Sequence, residues 1–175
     1  MITGSLVFAW GNPSRGDDAL GPCFIERLET LAAVHPEWPP FETLTDFQLQ
    51  IEHALDLGGR ARILFVDASF TCNPPFAVST ITPVRDASFS THALSPQALL
   101  QVYRDVTGLE PPPTQLLAIR GEGFELGEDL SNAARSHLDA ALAWAAAWLD
   151  AEASSNQDVP APGCRAKGWR VEFEP

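Results

Sequence analysis

Apolar and polar positions along the chain alternate between two periods. "GSLVFAW" (4–10) and "ARILFVDAS" (61–69) are short, nearly continuous apolar runs, the pattern of strands buried on both faces. "FETLTDF" (41–47) and "TQLLAIRG" (114–121) read as two more strands. "FAVSTITPV" (76–84) alternates with period two, and no helix separates it from its predecessor, so an antiparallel strand is expected there. Between these runs the spacing turns helical. "PCFIERLETLAA" from Pro22 places Phe24, Ile25, Leu28 and Leu31 on one face, and "LQIEHALDLGG" reads as a helix stopped by Gly58-Gly59. Ser95 and Pro96 supply an N-cap and a first-turn proline for a third helix ending at Gly108. Residues 130 to about 152 form an Ala-rich closing helix striped by Leu130, Leu138, Leu142, Trp148 and Leu149.

Alternating strands and helices predict an α/β fold: three layers, with a twisted, mostly parallel sheet of about five strands between helices and one antiparallel strand. Residues 1–152 are expected to form a single domain. Residues 153–175, polar and rich in Pro and Gly, are expected to form a mobile C-terminal tail.

Charge narrows the function. Eleven basic against 23 acidic residues give a net charge of −12, which argues against nucleic acid, since its binding depends on neutralising phosphates. No apolar run approaches the roughly 20 residues of a membrane span. The first residues lack a basic n-region and a small-residue cleavage site, so "SLVFAW" reads as a strand and not a signal peptide. Cys23, Cys72 and Cys164 are scattered and odd in number, which fits a reducing, cytoplasmic setting, with Cys23 in a helix core.

Candidate chemistry concentrates in three places. "GNPSRGDDALGP" (11–22) sets Asp17 and Asp18 side by side after the first strand. One carboxylate suffices to cap the following helix, so the second is easier to explain if a cation or basic partner visits. Asp67 interrupts the apolar run of the central strand, where a lone charge must be paired or sit at the strand's mouth. His92 lies in "STHALSP", the loop before the third helix. Loops after parallel strands open into one crevice, and two carboxylates with an imidazole suit a borderline divalent ion. Dinucleotide, P-loop, serine-elbow and H-E-x-x-H patterns are absent. His35 and His137 read as structural.

"VFAWGNPSRGDDALGP" resembles the amino-terminal signature of the hydrogenase maturation endopeptidases, an apolar strand followed by G-N-x4-D-[DE]-x2-G. "ILFVDAS" resembles their second acidic site and "STHALSPQALL" their histidine site, in the same order over roughly residues 4 to 150. The resemblance implies Asp18, Asp67 and His92 as both ligand and catalytic residues, with Asp17 as a neighbour serving the turn and cap. It implies an aspartyl-type endopeptidase that removes the C-terminal extension of the immature large subunit of a nickel–iron hydrogenase. The nickel is borne by the substrate and is not a resident cofactor. Many family members carry Glu at the position of Asp18 and a Gly-rich turn where this chain has "TDFQLQIEHAL", with Gln48, Gln50 and Glu52. That variant resembles the subgroup serving soluble NAD-linked, bidirectional hydrogenases. A cytoplasmic monomer in transient complex with the precursor is implied, with no nucleic acid and no membrane.

Two other functions remain open on the residues alone. A nickel checkpoint chaperone that holds the precursor without cutting it would use the same ligands. A peptidyl-tRNA hydrolase-like enzyme also opens with a strand and Gly-Asn-Pro, but it predicts a basic RNA face, against the charge of −12.

Overall fold

The structure, a computed structural model, describes residues 4–85 and 94–157, with side chains described to residue 151. Five strands form one sheet: β1 (Ser5–Trp10), β2 (Phe41–Asp46), β3 (Ile63–Ser69), β4 (Phe76–Ile81) and β5 (Thr114–Arg120). Their spatial order is β2-β1-β3-β5-β4, parallel throughout except for β4, which runs antiparallel to β5. This is the expected mostly parallel sheet between helices. The antiparallel strand pairs with β5, which inserts between it and β3.

Strand periodicity divides the core between two layers. Val7, Ala9, Leu64, Val66, Leu117 and Ile119 point to one face, where α1 (Leu20–Ala32) and α3 (Asn132–Gln157) pack. Leu6, Phe8, Trp10, Ile63 and Phe65 point to the other, against α2 (Pro96–Thr107) and a 3-10 helix over Ile51–Leu57. The sequence patterns of β1 and β3 are nearly unbroken because both faces are covered.

Three boundaries differ from the sequence expectation. The helix expected over "LQIEHALDLGG" is a 3-10 helix confined to residues 51–57, and its buried side chains, Ala54 and Leu57, stand three residues apart, one turn of that tighter helix. α1 begins at Leu20, after a 3-10 turn over Gly16–Ala19. Pro22 therefore lies within its first turn, where a missing N–H leaves no intrahelical bond unmade. α3 runs on to Gln157, while the rest of the expected tail, residues 158–175, lies outside the described residues. Ser95 does cap α2, accepting from Ala98 N–H at 3.1 Å, and Gly108 ends that helix in the left-handed conformation.

The order of the strands fixes where a site can open. The β1–α1–β2 connection moves one way across the sheet, whereas β3 lies on the opposite side of β1. The carboxyl ends of β1 and β3 thus flank the switch point, the usual place for a binding crevice in such sheets. α1 is drawn tightly onto β1 here, because a Cβ at Gly21 would lie 2.2 Å from the Trp10 carbonyl oxygen.

That contact is between backbones and cannot be relieved by a side-chain rotation. Gly21→Ala is expected to lower stability by about 2 kcal/mol or more, read as a drop in the urea midpoint. An unchanged midpoint would show that α1 has room to withdraw.

Candidate active site

The turn after β1 is built to hold two carboxylates in unlike surroundings. Gly11 donates its N–H to the Asp46 carbonyl at 3.0 Å, anchoring the turn to the end of β2. Its φ of +148° and its closeness to the Asp18 carbonyl oxygen, 2.0 Å from where a Cβ would stand, leave glycine as the residue that fits. Asn12 N–H then donates to Asp18 Oδ2 at 2.8 Å, and the Asn12 side chain accepts from Ser14 N–H at 2.9 Å. Asp18 is half-buried with one carboxylate oxygen anchored.

Asp17 is fully buried. Its Oδ2 accepts from Glu122 N–H at 2.7 Å, Gly123 N–H at 3.1 Å and Ser131 Oγ at 2.9 Å, and its Oδ1 from Ser131 N–H at 2.7 Å. Burial by itself raises the carboxyl pKa, but these hydrogen bonds outweigh it and hold the group below the ordinary value of 3.8. The expectation that Asp17 caps its own helix is corrected: no side chain caps the 16–19 turn. Asp17 instead grips the β5–α3 connection, including Ser131, whose Oγ accepts from Ala134 N–H at 3.1 Å at the start of α3.

Asp67 follows Ile63 and Phe65 along the α2-facing side of β3, the face that Trp10 occupies on neighbouring β1. The Trp10 indole donates to the Asp67 carboxyl, and the ring is braced edge-on by Phe8 at 6.1 Å and Phe65 at 5.7 Å. Burial pushes the Asp67 carboxyl up to about 7, the charge of Asp18 adds to this, and hydrogen bonds from Ala68 N–H and Trp10 oppose it. Among the described residues, no Lys, Arg or His forms an ion pair with Asp18 or Asp67.

A third carboxylate, Asp46, ends β2 beside Trp10. Its Oδ1 accepts from Phe47 N–H at 2.6 Å, and its Oδ2 lies 3.2 Å from His53 Nε2 and 3.4 Å from Gln50 Nε2. His53 Nδ1 accepts from Gln50 N–H at 2.9 Å, which assigns the ring proton to Nε2 and directs it at Asp46. This pairing occupies the "DFQLQIEH" variant noted in the sequence.

Asp18 and Asp67 follow neighbouring strands, near enough for the charge of Asp18 to raise the Asp67 carboxyl, while His92 falls in residues 86–93, outside the described residues. Among the described residues no three His, Cys, Asp or Glu side chains are grouped to hold a metal ion. Sequence reading did not identify Trp10 or the Asp46–His53 pair. The signal for Trp10 was available in its parity with Leu6 and Phe8. His137, expected to be structural, hydrogen-bonds the Arg120 carbonyl through Nδ1 at 2.7 Å. Cys23 is half-buried against the core, and burial raises its thiol pKa. No helix of the described residues is long and apolar enough to cross a membrane.

No protein-family model and no curated protein matches the chain. Solved structures do. The NiFe hydrogenase maturation protease HycI from Thermococcus kodakarensis KOD1 is similar at TM-score 0.66 and 21% identity, over 85% of this chain and 93% of that one. The hydrogenase maturating endopeptidase HybD from E. coli is similar at TM-score 0.64 and 22% identity, over 86% and 94%. A hydrogenase 2 maturation peptidase from Thaumarchaeota archaeon SCGC_AB-539-E09 follows at 0.57 and 20%, over 84% and 98%. The likeness is one of fold: the mixed five-stranded sheet with its flanking helices is the fold of these proteases.

Asp17, fully buried, and Asp67, half-buried, make opposite predictions. Asp17→Asn turns an amide N–H toward N–H donors and is expected to cost about 3 kcal/mol near neutral pH. Because the folded pKa of Asp17 is depressed, the loss is full above 3.8 and closes as the pH falls through the lower folded value. Urea midpoints across pH 2–7 read it, and a constant difference would refute the ionic role.

Asp67 has a raised folded pKa, so its stabilising contribution is whole below 3.8 and is lost as the pH rises through about 7. Asp67→Asn is expected to match the wild type near pH 4 and to exceed its stability at pH 8 by on the order of 2 kcal/mol. Parallel stability curves for the two proteins would sink this reading.

Proposed function

We propose that the protein is a hydrogenase maturation endopeptidase that removes the C-terminal extension of a nickel–iron hydrogenase large subunit after nickel insertion. The observation that supports this reading is the pair Asp18 and Asp67, which follow neighbouring β1 and β3, lie near enough for the charge of Asp18 to raise the Asp67 carboxyl, and form no ion pair with a cationic side chain among the described residues. The pair occurs in a fold similar to those of HycI and HybD. Repulsion between two such groups is relieved by a divalent cation, and oxygen donors joined by an imidazole match a borderline ion. In this reading Asp18, Asp67 and His92 engage nickel already held by the precursor's thiolates. The metal enters as part of the substrate and signals that insertion is complete.

Hydrolysis adds water across the scissile amide, hydroxyl to the carbonyl carbon and proton to the leaving nitrogen. A bound precursor places that amide beside the carboxylate pair, and its nickel orders the cleavage segment. The departure from a Gly-rich turn at "TDFQLQIEHAL" supports, within this proposal, the large subunit of a soluble NAD-linked hydrogenase as the substrate. The enzyme acts as a cytoplasmic monomer in transient complex with that subunit.

The test follows precursor mass after incubation with nickel-loaded and nickel-free large subunit. Cleavage of the loaded form alone is expected. Binding without cleavage would replace the protease with a checkpoint chaperone, and equal cleavage of both forms would refute nickel recognition. Asp18→Asn, Asp67→Asn and His92→Ala are each expected to abolish processing in a folded protein. Full activity in any one would remove that residue from the site.

A further inference from the structure

β2 is an edge strand. It pairs with β1 along one side, and among the described residues no strand pairs with its other side. Such edges present unpaired N–H and C=O groups and are usually blunted or covered. Phe41–Asp46 contains neither Pro nor Lys, and its one edge device is Glu42, bound by Arg60 at 2.7 Å. Beside this edge lies a groove of about 370 Å³, walled by Glu29 and Ala32 of α1, by Phe41 and Thr43 of β2, and by His35 and Trp38 between them. Its floor is aromatic: Trp38 stacks on His35 at 4.6 Å and lies 6.4 Å from the Phe41 ring.

α3 delivers the chain to this place. The Trp38 indole donates to Asp150 at 2.8 Å, so the last turns of α3 stand next to the groove. From Asp150 to Gln157 the helix advances only about 10 Å. Residues 158–168 can then span up to about 35 Å. They are followed by "WRVEF", in which Trp169, Val171 and Phe173 alternate with Arg170 and Glu172, the pattern of a half-buried strand. Residues 164–171 also hold Arg165, Lys167 and Arg170 with no acid, in a chain of net charge −12.

Topology permits the pairing. α1 and α3 pack on the same face of the sheet. A strand following α3 and lying outside β2, parallel to it, would cross that face in the same direction as β1–α1–β2. The β5–α3 crossover would therefore have the same hand as that unit, the right-handed sense that such connections adopt almost without exception.

We propose that residues 169–173 of the same chain add to the free edge of β2 as a sixth, parallel strand, with Trp169, Val171 and Phe173 turned into the groove. The backbone ladder would supply affinity and the alternate side chains would supply register, as in strand addition generally. The tether holds the segment at high local concentration, which favours its own edge over that of a second copy. The pairing concerns the amino-terminal half of β2, away from the carboxyl-end crevice, and does not depend on the proposed function.

Hydrogen exchange by mass spectrometry on the full-length chain tests it, following the peptide over 41–46 with 63–69 as the interior reference. Val171→Pro removes a ladder donor and Trp169→Ala removes the largest anchor. Each is expected to speed exchange over 41–46 by about tenfold or more while leaving 63–69 unchanged. Identical exchange in the wild type and both variants would overturn the proposal. Wild-type protection that fades on dilution would overturn it as well, by assigning the segment to a second copy.

Discussion

The fold at the switch point depends on one buried carboxylate. Asp17 has no exposed surface, and an ion so placed persists only when donors surround it. Those donors come from Glu122, Gly123 and Ser131, more than 100 residues along the chain. The grip is two-way, since Asp17 N–H donates to the Gly123 carbonyl at 2.7 Å and Gly16 N–H to the Glu128 carbonyl at 3.0 Å. Arg15 adds its Nε to the Phe124 carbonyl at 2.9 Å. The β1–α1 turn and the β5–α3 connection are thus held to each other at this point.

The adjacent aspartates divide their tasks by the number of donors each receives. Asp17, with four, is a structural ion whose charge is answered within the protein. Asp18, with one backbone donor, keeps most of its charge available at the surface of the crevice. Asp67 lies between these cases: the Ala68 N–H and the Trp10 indole do not offset its burial, so ionising it weakens the fold.

The strands were legible because continuous apolar runs have few other uses in a chain of this size, and Asp67 stood out as a charge inside such a run. Position just past a strand marked the Asp17-Asp18 pair, and the resemblance of the motif to the protease signature, not local pattern, set Asp18 apart from Asp17. The role of Asp17 was not legible, because its partners are set by tertiary contact and leave no local mark. The helix expected over "LQIEHALDLGG" is present as a 3-10 helix over Ile51–Leu57, and its type was not legible because Ala54 and Leu57, three residues apart, satisfy both helical periods. The insertion of β5 between β3 and β4 has no sequence signal either, since strand order is decided by which helix covers which face.

The carboxyl ends of β2, β1 and β3 carry three carboxylates on adjacent elements, and their partners separate them by role. Asp46 faces the His53 imidazole and the Gln50 amide, with a backbone N–H on its other oxygen, so its charge is answered locally. The ring of His53 is itself fixed by the Gln50 N–H and by the edge of Phe8, 4.7 Å away. Asp18 has a single backbone donor, and its charge adds to the burial that raises the Asp67 carboxyl, which the Ala68 N–H and the Trp10 indole only partly offset. Three neighbouring carboxylates thus differ in how far their charge is offset, and the difference follows from the donors that each one meets.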